Sequence, residues 1–355
     1  MREQQQVGAC EPLLTVENLG THIRTERGTI RAVDGVSFTV ERGETVCLVG
    51  ESGSGKSVTC KSLTGIVPQP PAKIVGGSIE FDGVSLSEAD ESTLRRVRGS
   101  RIAHVFQNPQ SALDPVYPIG RQITEAITIH ERIGDEVARE RAIDLLRRVG
   151  IARPEDSIDD YPHEFSGGQR QRIAIAIALA GDPDLLIADE PTTAVDVTVQ
   201  ARLIELFREL TTGGMALLFV THDLRVVAAL ADRVLVMYGG TIVECGPTEE
   251  LFARPSHPYT QALFESYRRL SGRADRSDHS DHSAREEIPT NGCRFRNECP
   301  YAIEECEQDD QPDFYTIAGG QRHRASCVHY GSAGDPDPII AGARKARPIA
   351  ESDDD

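Results

Sequence analysis

TVCLVGESGSGKSVTC, Thr45 to Cys60, passes from an apolar strand through a glycine-rich turn into a helical run. Gly50 to Ser57, GESGSGKS, matches GxxxxGK[ST], and the strand before it and helix after it are the context that pattern requires. Gly50, Gly53 and Gly55, with Glu51, Ser52 and Ser54 between them, leave backbone N–H groups free to cradle phosphate oxygens. The helix N-terminus, with Val58 in its first turn, adds positive potential. Lys56 reaches the β and γ phosphates and Ser57 supplies a Mg²⁺ ligand, so the ligand is a nucleoside triphosphate.

A second buried strand, DLLIADEP (Asp184 to Pro191), delivers Asp189 and Glu190 at its end. Alone, two carboxylates there are an ordinary solvated strand end. Beside a phosphate loop, Asp189 holds Mg²⁺ directly or through water, and Glu190 polarises the attacking water. His222, closing MALLFV (Met215 to Val220) in VTHD, is suited to contact the γ phosphate and orient that water. Gln107, after RIAHVF, is suited to contact Mg²⁺ and water. Each of the last two is weak evidence by itself.

Around these motifs, short apolar segments alternate with helical patterns from Leu13 to about Leu270, which predicts an α/β domain with a largely parallel sheet. LLTVENL, VSFTV, TVCLVG, SIEFDG, RIAHVF, DLLIAD, MALLFV, RVLVMY and TIVEC read as strands. IAIAIALA (Ile173 to Ala180) alternates like a strand, yet it follows RQR, is rich in alanine and ends at Gly181, Asp182 and Pro183, so it is read as a buried helix. The expected boundaries are an ATPase domain over 12–270, with a helical insert at about 91–165, and a linker over 271–291. A cysteine-rich unit over 292–330 and a disordered acidic tail over 331–355 follow.

The 355 residues carry 56 acidic and 38 basic side chains, a net charge of −18, which disfavours nucleic acid as a partner. Lysine scarcity with acidic excess resembles proteins of salt-loving microbes; ordinary acidic drift is the alternative. No apolar run approaches the length of a membrane span, and MREQQQVGAC has no export-type apolar core, so the expected compartment is the cytoplasm.

FSGGQ (Phe165 to Gln169) then poses a question, because the chain's own phosphate loop is already complete. Ser166, Gly167, Gly168 and Gln169 at a helix start form a spare anion site. The order GESGSGKS, Gln107, FSGGQ, DLLIADEP, TTAVD, THD resembles the ATP-binding subunit of an ABC transporter over about Leu13 to Leu270. The resemblance implies a P-loop NTPase (ABC ATPase) core with an antiparallel β subdomain and a helical insert. It also implies head-to-tail pairing, in which the serine turn of one subunit covers the ATP of the other. Asp196 would communicate between the paired sites, and Gln107 would couple hydrolysis to a membrane partner docked on the insert. Where the family stacks adenine on an aromatic residue, THIRTERG offers Ile23, or His22, instead.

VGESGSGKSV, FQNPQSALDPVYPIGRQI, YPHEFSGGQRQR, DEPTTAVDVTVQ and HPYTQAL resemble the peptide and nickel importer branch. That implies uptake of oligopeptides or dipeptides, with nickel or oligosaccharide cargo as alternatives. The implied partners are a second ABC ATPase subunit, a heterodimer in preference to a homodimer, two transmembrane permease subunits and an extracellular or periplasmic substrate-binding protein. The place of action would be the cytoplasmic face of the membrane. A soluble ABC ATPase working on ribosomes or DNA is the rival from another class.

Cys293, Cys299, Cys306 and Cys327 have spacings Cx5C, x6C and x20C. In a reducing compartment they read as metal ligands rather than disulfides. No pair has the two-to-four-residue spacing usual for zinc, whereas four thiolates suit a [4Fe–4S] cluster, which some members of the resembling branch carry. Zinc and metal-free cysteines are the alternatives. His323 and His329 could replace a ligand but are read as solvated, Cys47 and Cys60 are read as small core hydrophobes, and Cys10 and Cys245 have no evident partner.

Overall fold

A computed structural model describes residues 11–26, 28–107, 112–192, 196–270, 288–308, 310–317, 320, 322–332 and 334–346. Two sheets organise it. Strands β1 (Leu14–Thr25), β2 (Gly28–Val40), β4 (Ala72–Phe81) and β5 (Val84–Ser85) form an antiparallel sheet in the order β2-β1-β4-β5. β3 (Thr45–Val49) leaves it for a larger sheet with β6 (Ile102–Val105), β7 (Leu185–Asp189), β8 (Ala216–Thr221), β9 (Arg233–Tyr238) and β10 (Thr241–Pro247). From β9 through β3, β8 and β7 to β6 every pairing is parallel.

These central strands are apolar along their length because both faces are covered. On β3, Val46 and Leu48 point into a core shared with Leu14, Val16 and Phe81 of the antiparallel sheet. Cys47 and Val49 point into the opposite core, with Ile119, Ile123 and Ile175. The period of two thus divides one strand between two cores, each fully buried aliphatic stabilising by about 1.5–3 kcal/mol.

Helices α1 (Lys56–Leu63) and α2 (Glu91–Val97) precede β6. Then come α3 (Ile119–Thr128), α4 (Asp135–Arg148), the single turn α5 (Pro154–Ser157) and α6 (Gly167–Ala178). The helical insert expected over 91–165 is therefore interrupted: β6 lies inside that range and pairs with β7, so the continuous helical run is 119–157. The alternating stretch ending in IAIAIALA is helical as α6 and buried on most sides, alanine content and the Ser166 cap outweighing its strand-like period.

Helices α7 (Val197–Thr212), α8 (Leu224–Leu230), α9 (Thr248–Ala253) and α10 (Pro258–Leu270) complete the ATPase region. The cysteine-bearing part is not a detached unit. Its hairpin, β11 (Phe314–Thr316) and β12 (Arg324–Ser326), extends the central sheet through pairing of β12 with β10. Nor is the tail wholly without structure: α11 (Asp337–Ala346) packs on α10, where Gln261 Nε2 donates to the Ile339 carbonyl at 2.9 Å. Residues 347–355, Cys10 and most of the expected linker, 271–287, lie outside the described residues.

His323 and His329 are also not solvated. His323 is fully buried, its Nε2 2.7 Å from Glu244 Oε1, and Glu244 further accepts from the Ser256 and His257 N–H groups at 2.7 and 2.8 Å. Burial of Glu244 is tolerated because three polar partners replace water. His329 Nε2 lies 2.7 Å from the Tyr301 carbonyl. Cys245, without an evident partner in the sequence, is buried at the same seam beside Arg324.

Candidate nucleotide site

The phosphate loop caps the C-terminal end of β3, where β8 and β9 flank it in parallel. Two glycines are obligatory there. Gly50 has φ +153° and Gly55 φ +108°, and a Cβ would come within 2.1 Å of the Met237 carbonyl oxygen at the first and 2.2 Å of the Ala32 oxygen at the second. Lys56 is buried across the loop, donating to the carbonyls of Gly50 (2.8 Å) and Glu51 (2.7 Å) and to Ser54 Oγ (3.3 Å). Burial lowers its pKa, opposed by the nearby charges of Glu190 and Asp189.

The strand-end carboxylates meet this loop. Ser57 Oγ donates to Asp189 Oδ1 at 2.9 Å, joining residues 132 positions apart. Burial pushes the Asp189 carboxyl above its ordinary value, and the Ser57 bond opposes that rise. Glu190 follows in the left-handed region at φ +49°, a costly conformation for a non-glycine residue that recurs at functional sites. Its Oε2 accepts from Gln107 Nε2 at 2.9 Å and its Oε1 lies 3.5 Å from His222 Nδ1. Gln107, Asp189, Glu190 and His222, read from three separate segments, thus converge beside Lys56 and Ser57.

A cavity of about 500 Å³ opens from the loop. Ser52, Gly53, Gly55, Lys56, Ser57 and Val58 line its floor, with Gln107 and Glu190 at one side. Ile23 lines the far side; His22, its alternative, does not. Gly50, Glu51 and Ser54 are not lining groups: Ser54 braces Lys56, and the Glu51 N–H donates to Tyr259 Oη at 2.9 Å. Ser166 to Gln169 do not line this cavity either. They form a capping box at the start of α6, with Ser166 N–H donating to Gln169 Oε1 at 2.8 Å and Gln169 N–H to Ser166 Oγ at 3.3 Å. Asp196 caps α7, accepting from the Val199 N–H at 2.9 Å.

Sequence reasoning missed Tyr259 and Tyr267, which bind the Glu51 N–H and, at 3.0 Å, Asp223 Oδ1 beside His222. The available signal was their i, i+8 spacing, which puts both on one face of α10.

Among the cysteines, Cys293, Cys306 and Cys327 are buried and Cys299 is half-buried. Burial pushes the thiol of Cys293 up to about 11 and those of Cys299 and Cys327 up to about 12. Backbone N–H groups of Phe295, Tyr301 and His329 oppose this by bonding to the respective sulfurs, and Cys327 feels the other three sulfurs. Among the described residues no group of three or more ligating side chains is arranged to hold a single metal ion.

Phosphate loop, strand-end carboxylates and serine turn on this two-sheet scaffold define an ABC-type ATP-hydrolysing cassette. An ABC transporter family model matches residues 33–193, and an oligopeptide/dipeptide transporter C-terminal region matches 243–306. A probable peptide ABC transporter ATP-binding protein of Sinorhizobium fredii is 48% identical over 320 residues, 89% of this chain and 94% of the relative. The oligopeptide transport ATP-binding protein AppD of Bacillus subtilis is 44% identical over 91% of this chain and 98% of its own. For the dipeptide transport ATP-binding protein DppD of Escherichia coli the values are 43%, 90% and 96%. Among solved structures, the dimeric cassette MJ0796 bound to ADP and Pi superposes with a TM-score of 0.60 at 26% identity, covering 66% of this chain and 98% of that one. The chain belongs to the ATP-binding subunits of ABC transporters, in the oligopeptide/dipeptide branch.

Proposed function

We propose that this subunit drives peptide uptake by hydrolysing ATP at the cytoplasmic face of the membrane, paired head to tail with a second ATPase subunit. A heterodimer is favoured over a homodimer, with two permease subunits and a substrate-binding protein completing the importer. The observation that carries the hydrolytic part is the junction of Ser57 with Asp189 and of Gln107 with Glu190, each at 2.9 Å. Ser57, Gln107 and Asp189 would hold Mg²⁺, which neutralises phosphate charge when bound. Glu190 takes the proton of the attacking water, and His222 orients it. Lys56, already desolvated, exchanges loop carbonyls for phosphate oxygens. Peptide cargo is supported by the names of the relatives. It is tested by labelled-peptide uptake in vesicles carrying the whole importer, where peptide must enter only with ATP inside; nickel or oligosaccharide uptake in its place would refute it.

Among the described residues, no aromatic ring lines this cavity, and base–aromatic stacking contributes about 1–3 kcal/mol elsewhere. Ile23→Tyr is therefore expected to tighten ATP binding roughly tenfold in a titration of the purified subunit. Unchanged affinity would place the base elsewhere.

The finer reading of the cysteine region is a [4Fe–4S] cluster held by Cys293, Cys299, Cys306 and Cys327. It is supported by the backbone N–H bonds to three of the sulfurs, which favour thiolate against the upward push of burial and of the neighbouring sulfurs. Such a cluster supplies one-electron chemistry, or merely staples the seam. Anaerobically purified protein should contain about four irons and four sulfides and absorb in the visible; colourless protein with stoichiometric zinc, or with no metal, contradicts the cluster.

A further inference from the structure

The base-side wall of the cavity comes from an unexpected place. Ile288, Pro289, Thr290 and Arg294, from the far side of residues 271–287, line the same cavity as the phosphate loop. Ile23 and Ile30 of the antiparallel sheet line it too, as do Gly239, beside Ile288 and Arg294, and Gly240, beside Arg31 and Ala32 of β2. Two aliphatic side chains stand open to this space, Ile30 at 55% and Ile288 at 45% exposure. On a chain whose other large aliphatics are mostly buried, two that flank one cavity mark the place of a flat apolar group.

The wall is held firmly. Arg294, only 6% exposed, pairs with Asp34 of β2 and donates to the Pro289 carbonyl at 2.7 Å. The next residue, Phe295, packs edge-on against Tyr238 and Tyr259, and Tyr238 Oη donates to Glu298 Oε1 at 2.7 Å. Gly239, at φ +54°, admits the segment: a Cβ there would come within 2.9 Å of Ile288 Cγ2 and 3.2 Å of Arg294 Cβ.

We infer that Ile288, positioned by Arg294 and its ion pair with Asp34, is a specificity-determining residue that packs on the adenine of the bound ATP, opposite Ile23 and Ile30. This deepens the nucleotide-site reading and rests on it. The base is clamped between apolar side chains from both ends of the sequence, one from the first strand and one from the start of the cysteine-bearing region, instead of stacking on one aromatic ring.

The test uses the full-length subunit with Ile288→Asp, an exposed position where the fold tolerates a polar group. It compares equilibrium binding of ATP with that of tripolyphosphate, which reports the phosphate loop alone. ATP affinity should fall about tenfold or more, from lost apolar contact and a carboxylate set against the base, while tripolyphosphate affinity stays within about twofold. Ile288→Met, which keeps apolar volume, should restore ATP affinity to near the original value. Unchanged ATP affinity in Ile288→Asp overturns the inference, as does an equal loss for both ligands, since the substitution would then act on the phosphate loop. Wild-type binding of tripolyphosphate reads the loop independently of the wall, so the two readings are separately testable.

Discussion

Glu190→Gln is expected to lower ATP turnover in the assembled importer by at least about a hundredfold while ATP still binds, the usual size of a lost general base. Glutamine preserves the volume of the side chain and an oxygen able to accept from Gln107 Nε2, so the 2.9 Å contact survives. It cannot take a proton. The contact with His222 at 3.5 Å loses its charge partner, but His222 is largely exposed and that loss is small. The strained backbone at Glu190 is equally open to glutamine, so folding should be unaffected. Single-turnover kinetics and nucleotide binding on the same preparation separate the two effects. Turnover within a few-fold of wild type would move the base to another residue, and weakened ATP binding would make Glu190 a binding group instead.

Most of this site was legible because each motif sits at a strand end, where an apolar run and an abrupt turn leave a plain signal. Lys56, Asp189, Glu190 and His222 were found that way, and the parallel sheet brought them together. Gln107 was legible only as a polar residue after β6 until its bond to Glu190 gave it a place. The cysteine region was misjudged for a different reason. β11 and β12 are three residues each, too short for periodicity to register, and the pairing of β12 with β10 spans about eighty positions. The ion pair between Arg294 and Asp34 spans 260 positions and leaves no local trace at all. Polar residues in that region read as solvent-facing, yet Glu244 and His323 are buried against each other and Arg294 is buried against a half-buried Asp34, which no composition window reveals.

Gly167→Asp is expected to move stability and activity in opposite directions. At the first position of α6 the backbone is not left-handed, a Cβ would meet nothing within 4 Å, and the first turn carries no acidic residue. A carboxylate there interacts favourably with the helix dipole by about 0.3–1 kcal/mol, so the free subunit should melt no lower than wild type and somewhat higher at low salt. In the head-to-tail pair the same N–H groups are to receive the γ phosphate of the opposite subunit's ATP. Two like charges about 4 Å apart at an effective dielectric near 20 repel by about 4 kcal/mol, roughly a thousandfold in occupancy. ATP turnover by the opposite site should collapse, while the variant's own phosphate loop, lined by none of these residues, keeps its affinity for ATP. A gain in melting temperature alongside lost turnover separates this from misfolding. A stable Gly167→Asp protein whose assembly hydrolyses ATP at the wild-type rate would leave the serine turn as a helix cap and nothing more, and the paired-site reading would fall with it.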